Sequence, residues 1–272
     1  RGVVNDLTAD IDGQPNYGEF PLLQVTFTGA GFFNQTVTTP LSLVVFNDEI
    51  YDQILYDGAE FVPMATLVHG TLCATLSGLS KVYRACGYRV GWAVFSGELE
   101  QAREYLSAVD KLSSLRLCSN VPGQWAVQTA LGGYQSIYEL TRPGGRLYQS
   151  RQAILEGVAR SKYLQVHAPR GAIYAFIGIK DGVLPSFDDQ QFAMDLLEHK
   201  HVLLAPGTSF NAPYKTHFRI TNLPTAEVLA DVFSRMEELL DMYASGTTPV
   251  ARTALELKVV KAKPRLSDGV TR

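Results

Sequence analysis

The sequence predicts an α/β fold, with a large-domain part on a mostly parallel sheet followed by a small C-terminal α+β domain. Three observations predict it. Short, wholly apolar runs at 41–46, 71–76 and 90–95 are separated by longer segments, as strands buried on both faces of a parallel sheet are. A long stripe of helical period follows at 98–117. After Pro143-Gly144-Gly145 the pattern changes to helices mixed with paired strands, the mark of an α+β unit.

The elements follow in order. Residues 1–40 are rich in Gly, Thr, Asn and Phe, with turn signals at Gln14-Pro15-Asn16-Tyr17-Gly18 and Gly29-Ala30-Gly31 and no sustained helical period, so they stand as an unmatched N-terminal segment. The large-domain part, 41–140, holds the three apolar strands. Its first helix, 98–117, aligns Ala102, Tyr105, Leu106, Val109, Leu112 and Leu115 on one side. A second helix, 124–131, begins after the Asn120-Val121-Pro122 break and ends at Gly132-Gly133, where glycine frees the last turn.

The small domain, 141–246, opens with a helix at 147–159. Strands at 163–168 and 172–179 flank the turn Pro169-Arg170-Gly171, and a helix at 188–198 leads to strands at 201–205 and 218–221. A final helix, 225–243, places Val228, Leu229, Val232, Phe233, Met236, Leu239 and Leu240 on its core side. In the tail, 247–272, Lys258, Lys261, Lys263 and Arg265 surround Pro264 with no apolar face to match, which predicts a flexible, solvated charge run.

Composition narrows the function. At 46% hydrophobic and 19% charged residues, the 272-residue chain has material for a sizeable core. Its 24 basic and 27 acidic side chains leave a formal charge of −3, no electrostatic footprint for nucleic acid or an anionic membrane surface. The longest apolar runs, 41–46 and 171–179, fall far short of the ~20 residues that cross a bilayer. With no secretory signal at its start, the chain is expected in the cytoplasm. Cys73, Cys86 and Cys118 are odd in number and lack CxxC spacing, so free and mostly buried thiols are expected. His199 and His201 are joined by no carboxylate or cysteine pattern, and no metal site is expected.

The stretch 46–92 carries the chemistry. It runs from Asn47-Asp48-Glu49-Ile50-Tyr51-Asp52, at the end of a strand, to Ser77-Gly78-Leu79-Ser80-Lys81-Val82-Tyr83-Arg84-Ala85-Cys86-Gly87-Tyr88-Arg89-Val90-Gly91-Trp92. Ligands of open α/β sheets bind beyond the carboxyl ends of the strands, and here an acid, a phenol, a lysine and an arginine fall in such places. Each alone has an ordinary structural use, as helix cap, packing tyrosine, surface lysine or ion pair.

Together these residues resemble the fold-type I pyridoxal-phosphate (PLP) aminotransferases of class I and II, most nearly the bacterial alanine and aspartate aminotransferases. Asp48 and Tyr51 match the family's Asp-Glu-x-Tyr. Gly78, Ser80 and Lys81 match its Ser/Gly-x-Ser-Lys, and Arg89 is the arginine eight residues after the lysine. The likeness continues through Arg116-Leu117-Cys118-Ser119-Asn120-Val121-Pro122, Pro169-Arg170-Gly171-Ala172-Ile173-Tyr174 and His217-Phe218-Arg219-Ile220, over about 41–245.

The resemblance implies a cofactor, PLP, and a role for each matched residue. Lys81 forms the Schiff base with the cofactor aldehyde and, once freed by the substrate amine, moves a proton as general acid and base. Asp48 faces the ring nitrogen, because a protonated pyridinium makes the ring an electron sink. Tyr51 donates to the phenolic oxygen, Ser80 and Arg89 hold the phosphate, and Arg219 clamps the substrate carboxylate. It also implies transamination between alanine or glutamate and pyruvate or 2-oxoglutarate, by a homodimer. A lyase or synthase reaction of the same cofactor, or a non-catalytic relative, is the alternative.

Two departures from the family stand out. Its Asn-Pro-x-Asn-Pro-Thr-Gly segment is absent, and Asn34 does not take that asparagine's role. Gly78 stands where many relatives have a phosphate-binding serine, which leaves Ser77 or Ser80 to compensate.

Overall fold

The computed structural model describes residues 44–247; the N-terminal segment 1–40, with Asn34, and the charged tail from 248 lie outside the described residues. A three-stranded sheet has the order β1 (Val44–Asp48), β2 (Leu72–Gly78), β3 (Gly91–Gly97). β1 runs parallel to β2 with Asp48 beside Leu76, and β3 returns antiparallel with Gly91 opposite Gly78. No α-helix lies between β2 and β3 to carry a parallel crossover, so the chain turns back along the same edge. The ladder also runs past the apolar run of β1, through Asn47 and Asp48, because backbone pairing does not require an apolar side chain.

Helix α1 (Arg103–Arg116) lies on this sheet by its first half, where the Tyr105 ring meets Phe46 and Phe95 edge-on at 6.4 and 6.5 Å. The rest of its apolar stripe is open: Leu112 is 67% and Leu115 80% exposed, and none of the described residues covers them. Helix α2 (Val121–Gly132) starts earlier than its expected Gln124, because Pro122 belongs to the first turn and Asn120 caps it by accepting from the Gly123 N–H. Only Cys73 of the three free cysteines is buried, which corrects the expectation for Cys86 and Cys118.

After α3 (Ile137–Thr141) and α4 (Arg146–Arg160) comes a second sheet. Its strands are β4 (Leu164–Val166), β5 (Tyr174–Ile179), β6 (Ala205–Pro206) and β7 (His217–Thr221), antiparallel throughout in the order β4-β5-β7-β6. Its two faces differ, as the two-residue strand period requires. Ala175, Ile177, Phe218 and Ile220 are buried with residues of α4, α5 (Asp189–Lys200) and α6 (Ala226–Ala244), among them Ile154, Phe192, Leu196, Phe233 and Met236. The alternate residues Tyr174, Phe176 and Arg219 belong to the other, partly open face. The strand expected at 201–205 shrinks to β6. His201, in a left-handed conformation at φ 54°, caps α5 through its N–H and uses up the start of that apolar run.

A second core joins the two sheets. Ile54, Tyr56, Val82, Ile137, Leu147 and Ile173 are buried together, with Tyr51 and Tyr174 at its margin. The stretch 169–171, expected as a simple turn, is a paired strip: the Tyr56 N–H donates to the Arg170 carbonyl at 2.9 Å and the Ala172 N–H to the Ile54 carbonyl at 2.8 Å. Arg151 fastens it. Its guanidinium, 2% exposed, donates to Asp57 at 2.5 Å and to the Pro169 carbonyl at 2.6 Å, and lies 5.2 Å from the Tyr56 ring centre.

Candidate active site

The first sheet brings four of the predicted residues to one end. Asp48 closes β1, Ser80 and Lys81 follow the end of β2, and Arg89 precedes β3. One further bond follows the last pair, from the Leu79 N–H to the Val90 carbonyl at 3.1 Å, before the chain turns and the Ala85 N–H donates to the Leu79 carbonyl at 3.0 Å. Both strands have glycine where they part. A Cβ on Gly78 would stand 2.8 Å from the Val90 carbonyl oxygen, and one on Gly91 would stand 2.8 Å from the Ser77 carbonyl oxygen. This close approach accounts for glycine rather than serine at 78.

Lys81 is held by its neighbours rather than by a partner. Leu79 and Val82 are buried, at 1% and 3% exposure, while the half-buried lysine makes no ion pair or side-chain hydrogen bond among the described residues. Its ammonium lies 6.0 Å from the Tyr51 ring centre. The two acids after β1 have separate fates. Glu49 is buried and accepts from the Asn47 amide at 2.7 Å and the Met64 N–H at 2.8 Å, a structural duty. Asp48 stays exposed and, among the described residues, accepts only the Ile50 N–H, at 3.1 Å.

The second sheet supplies the opposite wall. The Tyr51 hydroxyl donates to that of Tyr174 at 3.3 Å, and the two rings meet edge to face at 6.0 Å. The Arg219 guanidinium lies 4.2 Å from the Tyr174 ring and 4.3 Å from the Phe210 ring, with no carboxylate partner among the described residues. Burial pushes the Tyr51 phenol well up from its ordinary value. The bond to Tyr174, that residue's proximity and the Asp48 charge add to the rise, and the Arg219 charge opposes it. Tyr51 therefore keeps its proton and remains a donor at neutral pH.

Arg89 stands apart from this cluster. It is exposed, in a left-handed conformation at φ 52°, and donates to the Cys86 carbonyl at 2.8 Å within its own loop. Tyr174 and Phe210 were not among the expected site residues, although Tyr174 ends a matched motif and shares the period-two face of Arg219. Beside them a cavity of about 340 Å³ is lined by Tyr174, Val202, Leu204, Arg219, Leu229 and Val232. A larger one, about 630 Å³, lies between α5 and the end of α6, holds none of the predicted residues and is bordered by Leu184, Phe187 and a Tyr243–Asp195 hydrogen bond.

Residues 36–235 match the sequence model of the family described as aminotransferase class I and II. The chain belongs to this family. A glutamate-pyruvate aminotransferase of Escherichia coli (strain K12) is 44% identical over 202 residues, which cover 74% of this chain and 50% of that protein. An alanine aminotransferase of Mycobacterium bovis is 40% identical over 201 residues, covering 74% and 47%. The crystal structure of an aminotransferase from Escherichia coli superposes with a TM-score of 0.71 at 43% identity, covering 76% of this chain and 50% of that one. The fold is thus the α/β aminotransferase fold. The chain spans about half the length of the curated relatives it matches.

Proposed function

We propose that the protein binds PLP and carries out transamination between an L-amino acid, alanine or glutamate, and a 2-oxo acid, pyruvate or 2-oxoglutarate. The names of the relatives support the reaction and the substrate pair. One observation carries the reading: Lys81 and Arg219, from different sheets, flank the same Tyr51–Tyr174 pair without anionic partners among the described residues. An open amine beside an open guanidinium suits a cofactor aldehyde and a substrate carboxylate. Asp48 and Ser80 at the sheet end and Tyr51 beside Lys81 are residue types that suit PLP, and Arg89 would join them by leaving the Cys86 carbonyl. In this reading the protein works as a homodimer in the cytoplasm.

The bound cofactor supplies an aldehyde for amine exchange and a ring that takes up the electron pair left on the substrate Cα. Lys81 Nζ would hold the cofactor through its aldehyde and, once freed by the substrate amine, would accept the substrate Cα proton as general base and give a proton back as general acid. The Asp48 carboxylate would face the ring nitrogen and favour its protonated form. Tyr51, a phenol whose burial raises it further from neutral pH, would donate to the phenolic oxygen. Arg89 and Ser80 bind the phosphate, for which a guanidinium's parallel donors are suited. Arg219 binds the α-carboxylate with two parallel hydrogen bonds, its plane held by the Tyr174 and Phe210 rings.

The test is the visible spectrum of the purified chain with PLP, before and after L-alanine or L-glutamate. A yellow band that disappears with the amino acid supports the reading. A spectrum no different from free PLP refutes it.

A further inference from the structure

The mechanism above uses the ring of one residue at the centre of the site and leaves its hydroxyl without a task. Tyr174 touches both halves. Its hydroxyl bonds that of Tyr51 at 3.3 Å, and its ring lies 4.2 Å from the Arg219 guanidinium. Its place is fixed by its neighbours along β5. Ile173 is buried in the core that joins the sheets, and Ala175 is buried in that of the second sheet. From the Ile173 carbonyl comes a further constraint, because it accepts both the Asn222 N–H at 3.0 Å and the Thr221 hydroxyl at 3.0 Å. The Tyr174 backbone therefore has little room to shift.

We infer that Tyr174 is a positioning residue that ties the cofactor-side phenol, Tyr51, to the carboxylate-binding guanidinium, Arg219. Tyr51 donates to Tyr174 in the structure; a hydroxyl has one proton and two lone pairs, so with its proton turned to the cofactor oxygen Tyr51 would instead accept from Tyr174, and each bond would strengthen the other. The Tyr174 face at the same time presents its negative quadrupole to Arg219, which orients the planar fork without neutralising it. A carboxylate partner would orient the fork equally well but would compete with the substrate. The inference rests on the PLP reading for its catalytic meaning, and on the two contacts alone for its structure.

The two contacts can be cut separately. Tyr174→Phe removes the hydroxyl and keeps the ring; Tyr174→Leu removes both. A donor on the cofactor's phenolic oxygen lowers the pH at which the nitrogen linked to Lys81 releases its proton. In Tyr174→Phe the pH midpoint of the visible band should therefore rise by about half a unit, the worth of a weak neutral hydrogen bond. Tyr51→Phe should raise it further, and adding Tyr174→Phe to that variant should change it no more. KM for the 2-oxo acid should stay within about twofold in Tyr174→Phe and rise about fivefold or more in Tyr174→Leu, as loss of a cation–π contact of about 1 kcal/mol predicts. A Tyr174→Phe midpoint equal to that of the parent, or effects that add in the double variant, overturns the inference.

A cofactor-free measurement separates this failure from failure of the PLP reading. In urea unfolding of the chain alone, the Tyr51→Phe and Tyr174→Phe midpoint shifts should combine to less than their sum, because one bond is lost only once. Should the parent form no visible band, the PLP reading falls, and this cycle still decides the tie. Additive midpoints overturn it.

Discussion

Replacing Arg151 by Ala removes a charge that two parts of the chain share. The guanidinium is 2% exposed and its partner Asp57 43% exposed, so the pair is buried on one side and wet on the other. Breaking a buried pair costs about 3–5 kcal/mol, and the hydrated carboxylate left behind places this one near 3 kcal/mol. That sum includes the charged donor lost by the Pro169 carbonyl. With a urea slope of about 2 kcal/mol per molar, the unfolding midpoint should fall by about 1.5 M at unchanged slope. Arg151→Met, which fills the same space without charge, should recover part of the loss. The assay is urea unfolding of the three proteins followed by circular dichroism. A midpoint for Arg151→Ala within about 0.3 M of the parent would refute the clamp between Tyr56 and Pro169.

Other outcomes test the site and its frame. Arg219→Lys loses one of two parallel donors and the stacking of a planar group, together about 2–4 kcal/mol, so kcat/KM for L-alanine should drop about 30- to 1000-fold, read in a coupled pyruvate assay. Lys81→Ala should abolish turnover and the yellow band, and full activity in it would sink the assignment. Gly78→Ser should lower the urea midpoint through about 1–3 kcal/mol of strain, because its Cβ meets the Val90 carbonyl at 2.8 Å. Burial holds the His217 imidazole below its ordinary 6.5, which means the unfolded chain takes up the proton first as pH falls. Stability from His217 is therefore present above pH 6.5 and lost as pH drops through and below it. His217→Gln should flatten that part of a plot of Tm against pH.

The strands and helices were legible where a side chain's burial and its backbone role coincide. Apolar runs marked β2 and β3, and the stripe of α6 marked its core face except at Val228, which is 50% exposed. Where the two part company, the sequence reading erred. Val202 and Leu204 are apolar and buried, yet His201 is spent capping α5, and only Ala205–Pro206 pairs. At 169–171 the proline and glycine spelled a turn, while the partner that makes it a paired strip, Leu55, lies far away in sequence. Of the candidate residues, Asp48, Tyr51, Lys81 and Arg219 were singled out by likeness to the family's motifs, for the roles proposed above. Tyr174 was not, because its importance lies in facing two residues at once, a property of register between β5 and β7 and not of any local pattern.

The strip that pairs Ile54 and Tyr56 with Arg170 and Ala172 is built from main-chain bonds, which makes it indifferent to side chains and intolerant of length. Between its anchor at Ile54 and the end of β1 at Asp48, residues 49–53 act as a ruler that sets where Tyr51 arrives. Substitutions within the ruler leave that distance alone. A single insertion or deletion would instead advance or retard the phenol relative to Lys81 and Arg219 together, so the separation of the two anchors is itself part of the site, and a variant family should drift in spelling here long before it drifts in count.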